Sequence, residues 1–381
     1  MRPALPEDET ISTAHANQDN SFRRADTNER SRSWVRWAME QIMADFNRSA
    51  DTHLIKVVLP KLPDIPLYLK DESTHPSGSL KHRLARSLFL YGLCNGRIGP
   101  DTPIIEVSSG STAVSEAYFA KLLGLKFIAV VPVGTAPQKL HQIRFFGGTI
   151  EETEFSQVHQ RAHALAAELN GHYMDQFIYA ERATDWRGNN NIADSLFSQL
   201  AKEEHPIPDW IVMSAGTGGT SATLGRYVRY RPELLEKTQI CVVDPENSVF
   251  YDSYVTRDTE LRIEGSSRIE GIGRPRVEAS FLPEVIDRMI NVPDAASIAT
   301  IHWLEAVLDR KCGGSTGTNV YGALTLMSEM QAAGRKGSVA TLICDGGERY
   351  LNSYYDPAWI EKEGLNLAPY RARLKQLSGI R

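Results

Sequence analysis

The sequence predicts an α/β fold on mostly parallel sheet, divided into more than one lobe. Three observations carry that prediction. From residue 77 onward, short apolar runs alternate with segments of helical period. The apolar runs are near-continuous rather than alternating, as strands covered on both faces by helices require. The chain has 381 residues, 42% hydrophobic and 23% charged, enough for two domains or one large two-lobed one.

Residues 1–28 are polar, poor in branched apolar side chains, and read as a mobile arm. Asn28 is placed to cap a helix over 29–48, in which "SWVRWAMEQIMADF" sets Val35, Met39, Ile42 and Phe46 on one stripe. That stripe, with Trp34 and Trp37 beside it, is expected to dock on the main body or on a partner subunit. "LIKVVLP" and "PLYLK" read as strands. "PIIEV", "KFIAVVP", "GTIEET" and the short "HYMD" then read as strands that alternate with helices over "TAVSEAYFAKLLG", "PQKLHQIRFFGG" and "SQVHQRAHALAAELNG". Later strands are "DWIVMSAG", "QICVVDP" and "SVATLICD", with helices in "TSATLGRYVRYR", "AASIATIHWLEAVLDRKCGG" and "STGTNVYGALTLMSEMQAAG". Residues 257–278 break this rhythm with charges and glycines and read as a functional loop or cover.

The formal net charge of −5 points to neither nucleic acid nor an anionic membrane surface. No apolar run approaches the roughly 20 residues of a spanning helix, and the first thirty residues hold no secretory apolar core. Cys94, Cys241, Cys312 and Cys344 are widely spaced with no C-x-x-C pair, which argues against a disulfide framework or a zinc site. They read as buried thiols in a reducing cytoplasmic compartment, Cys94 and Cys344 by virtue of their apolar runs.

Lys81 is the residue that ordinary helix design does not explain. In "SGSLKHRLARSLF" it follows a polar turn over 74–79 and stands at the start of an apolar-periodic helix. That end of a helix carries free N–H groups and partial positive charge, so a cation there is unfavourable. Three other strand-to-helix junctions carry anion-binding residue types. "AGTGGTSATLG" runs from a strand through Gly216, Thr217, Gly218, Gly219 and Thr220 into a helix, as a phosphate cradle would, without the lysine of a Walker loop or the spacing of a dinucleotide fingerprint. "SSGST", Ser108 to Thr112, offers hydroxyls and free N–H groups suited to a carboxylate. "CGGSTGTN" places Ser315 near a glycine-rich helix start. Taken singly, the first reads equally as a tight turn and the other two as helix caps.

In combination they do not. "SGSLKHR", "SSGSTA", "AGTGGTSATLGRY", "EGIGR", "CGGSTGTN" and "DGGERYL", in this order over roughly residues 50–355, resemble the cysteine synthase and cystathionine β-synthase family of tryptophan-synthase-β-like, fold type II pyridoxal-phosphate enzymes. The fuller runs around Lys81 and Ser111 resemble its L-cysteine desulfhydrase branch. The resemblance implies two α/β lobes with the cofactor in the cleft between them: a smaller lobe over 75–180, a larger one from 49–74 plus 181–355, and a C-terminal tail over 356–381. It implies pyridoxal 5'-phosphate bound by Lys81 as the Schiff-base lysine, by Gly216, Thr217, Gly218, Gly219 and Thr220 at its phosphate, by Ser315 at its ring nitrogen and by Ser111 at its ring hydroxyl. Ser108, Ser109, Gly110 and Thr112, with Gln176, are implied to bind the substrate carboxylate, and Gly271 to lie near the substrate amino group. No metal is implied. The implied reaction is β-elimination of L-cysteine to hydrogen sulfide, pyruvate and ammonia by a cytoplasmic homodimer. β-Replacement by a cysteine synthase, or a non-catalytic pyridoxal-phosphate- or phosphate-binding protein, are the alternatives. Two positions depart from the family: Ser111 stands where Asn is usual, and His82 where Asp is usual. Both weigh against efficient O-acetylserine sulfhydrylation, and His82 is read as a solvated helix residue.

Overall fold

The computed structural model describes residues 29–48 and 51–380, so the arm and the cap at Asn28 lie outside the described residues. Helix α1 (Glu29–Asn47) precedes a hairpin of β1 (His53–Leu59) and β2 (Leu62–Asp71), antiparallel with a register shift between Val57 and Leu59. Next come α2 (Lys81–Cys94), β3 (Ile104–Val107), α3 (Ser111–Leu122), β4 (Phe127–Pro132), α4 (Pro137–Phe145), β5 (Thr149–Thr153), α5 (Val158–Glu168), β6 (His172–Tyr173), α6 (Gln176–Ala183) and α7 (Ile192–Leu200). The chain continues through β7 (Trp210–Ser214), α8 (Gly219–Tyr230), α9 (Pro232–Leu235), β8 (Gln239–Asp244), α10 (Phe250–Thr256), β9 (Arg288–Asn291), α11 (Asp294–Leu308), α12 (Gly314–Ala332), β10 (Val339–Ile343), α13 (Pro357–Lys362) and α14 (Ala368–Ser378).

The strands form two sheets. One, in the order β5-β4-β3-β6, is parallel throughout; the other, β1-β2-β10-β7-β8-β9, is parallel apart from the β1–β2 hairpin. The α/β expectation therefore holds. Period-two geometry explains how each sheet is covered on both faces. Leu67, Leu69, Val212, Cys241 and Val243 face a core made with α11 and α12, while Tyr68, Ile211, Met213, Ile240 and Val242 face one made with α7 and α8. In the smaller sheet Ile104, Phe127, Ala129 and Val131 join a core with α2 and α3, and Ile105, Val107 and Val130 pack on α5.

Helix α1 docks on that smaller sheet's core. Ile42 and Ala38 are fully buried there, Trp34, Val35 and Met39 are half-buried against it, and the Arg86 guanidinium sits over the Phe46 ring at 4.4 Å. The 356–380 segment is helical, and Leu374 of α14 is buried against the core around α11. Helices α6 and α7 escape a reading by periodicity because turn formers surround them. Asp175 caps α6 from the left-handed region, Asn189 and Asn190 have φ of 60° and 49°, and the Asn191 side chain accepts from Ala193 N and Asp194 N to start α7.

Candidate active site

Loops at the C-terminal ends of β3, β7 and β10 meet the start of α2, the crevice in which open α/β sheets bind ligands. Backbone contacts hold them together. Leu80 N donates to Cys344 O at 2.8 Å, Gly273 N to Ala215 O at 2.8 Å, and Gly313 N to Asp345 O at 3.1 Å. Helices α2, α3, α8 and α12 all begin without a side-chain cap.

Lys81 is the first residue of α2, half-buried, and lines a cavity with Thr217, Gly219, Thr220 and Thr223. Its Nζ makes no hydrogen bond or ion pair with the described residues. Burial lowers its pKa to about 8, and the Arg274 guanidinium adds to the effect. A lysine so placed is an amine available near neutral pH.

At the phosphate-type junction Gly218 adopts φ of +93° as the N-cap of α8, Thr217 is buried, and Thr220 is half-buried. The glycines answer to their protein neighbours. A Cβ on Gly216 would lie 2.2 Å from Gly271 O, and one on Gly218 would lie 2.5 Å from Ser280 O and from Phe281 Cα. Valine at Gly218 would therefore break loop packing before it touched an anion, so Thr217 and Thr220 are the better probes of the cradle. The Gly216 contact also seats the 257–278 segment on the cradle, bringing Gly271, itself at φ +85°, beside Gly216.

At the carboxylate-type junction the N-cap of α3 is Gly110, not Ser111. Ser108 Oγ accepts from Gly110 N at 3.1 Å, and Ser108, Ser109, Gly110 and Ser111 are half-exposed toward the crevice. Thr112 and Gln176 are brought together: Thr112 Oγ1 donates to Gln176 Oε1 at 2.8 Å. Ser111 Oγ accepts from Arg349 Nη1 at 2.6 Å, so the "DGGERYL" segment of the larger sheet reaches a loop of the smaller one. Ser315 is inside the first turn of α12, whose N-cap is Gly313, which removes the reading of Ser315 as a cap. It is buried and bonds to Cys344.

Several expectations need correction. His82 is buried, not solvated. It stacks on His75 with ring centroids 4.8 Å apart, its Nδ1 lies 3.0 Å from Ser77 Oγ, and burial holds its pKa well below the usual value. Cys94 is exposed and Cys344 half-buried, against the reading of both as buried thiols. Cys344, Arg274 and Arg349 belong to the site and were assigned no part in it. Arg274 lies in "EGIGR" and Arg349 in "DGGERYL", two motifs of the resemblance, whereas no motif contains Cys344.

Residues 49–345 match the family model described as "Pyridoxal-phosphate dependent enzyme", and the chain belongs to that family. Among its relatives is "L-cysteine desulfhydrase Cds1" of Mycobacterium tuberculosis, 56% identical over 349 residues that span 90% of this chain and 94% of that one. A "putative cysteine synthase" of Sinorhizobium fredii is 31% identical over 78% of this chain and 86% of its own. The crystal structure of O-ureido-L-serine synthase superposes with a TM-score of 0.70 at 22% identity, covering 81% of this chain and 96% of that one, a likeness of fold. The residues present fit the family's cofactor. An unpartnered lysine shares its cavity with an uncapped helix N-terminus and with Thr217 and Thr220 of the cradle, which supply a nucleophilic amine and an anion site side by side.

Proposed function

We propose that this chain catalyses pyridoxal-phosphate-dependent β-elimination of L-cysteine to hydrogen sulfide, pyruvate and ammonia. The observation that carries the reading is the 56% identity, over nearly the whole of both chains, to a protein named as an L-cysteine desulfhydrase. Lys81 would hold the cofactor through its aldehyde, Gly216, Thr217, Gly218, Gly219 and Thr220 would hold its phosphate, and Ser111 and Ser315 would meet its ring. Ser108, Ser109, Gly110, Thr112 and Gln176 bind the amino-acid carboxylate, and Gly271 lies near the amino group. The sheets belong to two lobes, 75–180 and 49–74 plus 181–355, with this site in the cleft. Trp37 and Met43, each 39% exposed on α1, favour a homodimer, and the free thiols a reducing cytoplasm.

Bound there, the cofactor supplies an aldehyde that takes up an amine and a ring that withdraws electrons from the substrate α-carbon. The chain supplies the rest. Uncapped N–H groups and hydroxyls at the start of α3 orient the carboxylate. The Lys81 amine, once free, takes the α-proton. The electron pair left at Cα becomes the second bond of a Cα=Cβ double bond as the Cβ–S bond breaks and sulfide leaves with its pair. Released product hydrolyses to pyruvate and ammonia.

L-Cysteine alone should yield sulfide, pyruvate and ammonia in equal amounts. Rapid cysteine formation from O-acetylserine and sulfide, without pyruvate from cysteine, would replace this reading by the synthase one. One observation favours that second reading: the Arg349–Ser111 bond ties the edges of the cleft together, which retains a reactive product for a nucleophile.

A further inference from the structure

Glu106, in β3, and Glu116, one turn beyond Thr112 in α3, are both fully buried and lie within hydrogen-bonding reach of each other. Glu106 is well served: Oε1 accepts from Val107 N at 2.8 Å and Oε2 from Gln176 N at 3.2 Å. Neither oxygen of Glu116 has a donor among the described residues. A buried carboxyl with no donor, facing a carboxylate that already accepts two N–H groups, is satisfied by carrying a proton itself and donating it to its neighbour. Burial pushes both carboxyls upward; the Asp175 charge adds to the rise at Glu106 and the Glu106 charge to that at Glu116, whereas the contact with Glu116 lowers Glu106, as a donor would. The other charged or titratable groups that bear on the pair are Lys81 from α2, Tyr173 from β6 and Asp175 at the start of α6, with Arg276 acting on Tyr173.

We propose that Glu116 is a positioning residue: as a neutral acid it donates to Glu106 and thereby fixes the carboxylate-binding loop over 108–112. The inference rests on the proposed role of that loop. Glu106 grips both of its ends. Val107 N immediately precedes Ser108, and Gln176 N belongs to the residue whose side chain holds Thr112. A second negative charge on the pair would push the Glu106 carboxylate away from these N–H groups and let the loop spread. Loss of the shared proton at high pH therefore weakens amino-acid binding, and it does so without removing the cofactor.

The test uses holoenzyme and L-cysteine. Glu116→Leu should raise KM about tenfold or more while kcat falls less than threefold and the cofactor absorbance stays. Glu116→Gln, which keeps a donor, should hold KM near wild type at neutral pH and abolish the alkaline rise in KM. Thr112→Val, in the loop itself, should raise KM at every pH. An unchanged KM in Glu116→Leu, or a wild-type alkaline limb in Glu116→Gln, overturns the inference while Thr112→Val still supports the loop. Unchanged KM in Thr112→Val as well overturns the reading of the loop and the inference with it.

Discussion

Lys70 and Lys81 are two lysines with the same perturbation and opposite surroundings. Burial lowers each to about 8. Lys70, fully buried in β2, donates to Thr52 O at 2.9 Å and Gln199 Oε1 at 2.7 Å, with Asp51 3.7 Å away. It belongs to a polar network in which the Arg83 guanidinium binds Glu72 at 2.6 Å and Asp51 at 2.9 Å. Burial alone would raise the Glu72 carboxyl, but Arg83 and His75 hold it well below the usual range. Lys81 stands nearby in the chain and has no hydrogen-bond or ion-pair partner among the described residues. A lowered pKa therefore does not separate a structural lysine from a reactive one. The absence of a partner does.

The largest effect that tests this contrast is Lys81→Ala, which should cost at least ~10³-fold in turnover, the scale of losing a nucleophile and base together, with the fold intact and the cofactor absorbance gone. Circular dichroism and a visible spectrum check it, and retained turnover would break the comparison. Lys70→Met is the counterpart. It leaves Gln199 Oε1 without its donor while Asp51 keeps Arg83 and Ser195, so unfolding free energy should fall by about 1–3 kcal/mol in urea titration while turnover per folded molecule stays within twofold. Thr220→Val, which removes one hydroxyl from the cradle, should weaken cofactor retention on dialysis by about 10–100-fold, the scale of one charge-assisted hydrogen bond. The smallest effect is in pH. The amine form of Lys81 dominates above its lowered pKa, so the rate at which apoenzyme takes up pyridoxal phosphate should rise with pH and level off above about 8. An ordinary lysine would keep that rate rising toward 10.5.

What was legible in the sequence follows the range of the interactions. The strands announce themselves because both faces are apolar, and the cradle, the 108–112 loop and Lys81 because each lies at a junction of local pattern. Their convergence came from motif order. The partners of Arg83 did not show: Glu72, Asp51 and Ser195 lie 11, 32 and 112 residues away, and nothing in the local pattern of α2 names them. His82 was misplaced for the same reason. Its burial depends on His75 and Phe119, which only the folded chain puts beside it. Ser111 was legible as a departure from the family, yet its bond to Arg349 spans 238 residues and could not be read.

The order of strands has a consequence for synthesis. The smaller sheet is complete once residue 173 has been made, whereas β2 lies between β1 and β10, and β10 begins at Val339. On the ribosome, then, the part of the chain that follows Lys81 can fold while the hairpin of β1 and β2 waits with one edge open for a partner made near the end of translation. During that interval the nascent chain carries an unpaired apolar edge. Chaperone capture should therefore concentrate on this hairpin rather than on the segment that surrounds the reactive lysine.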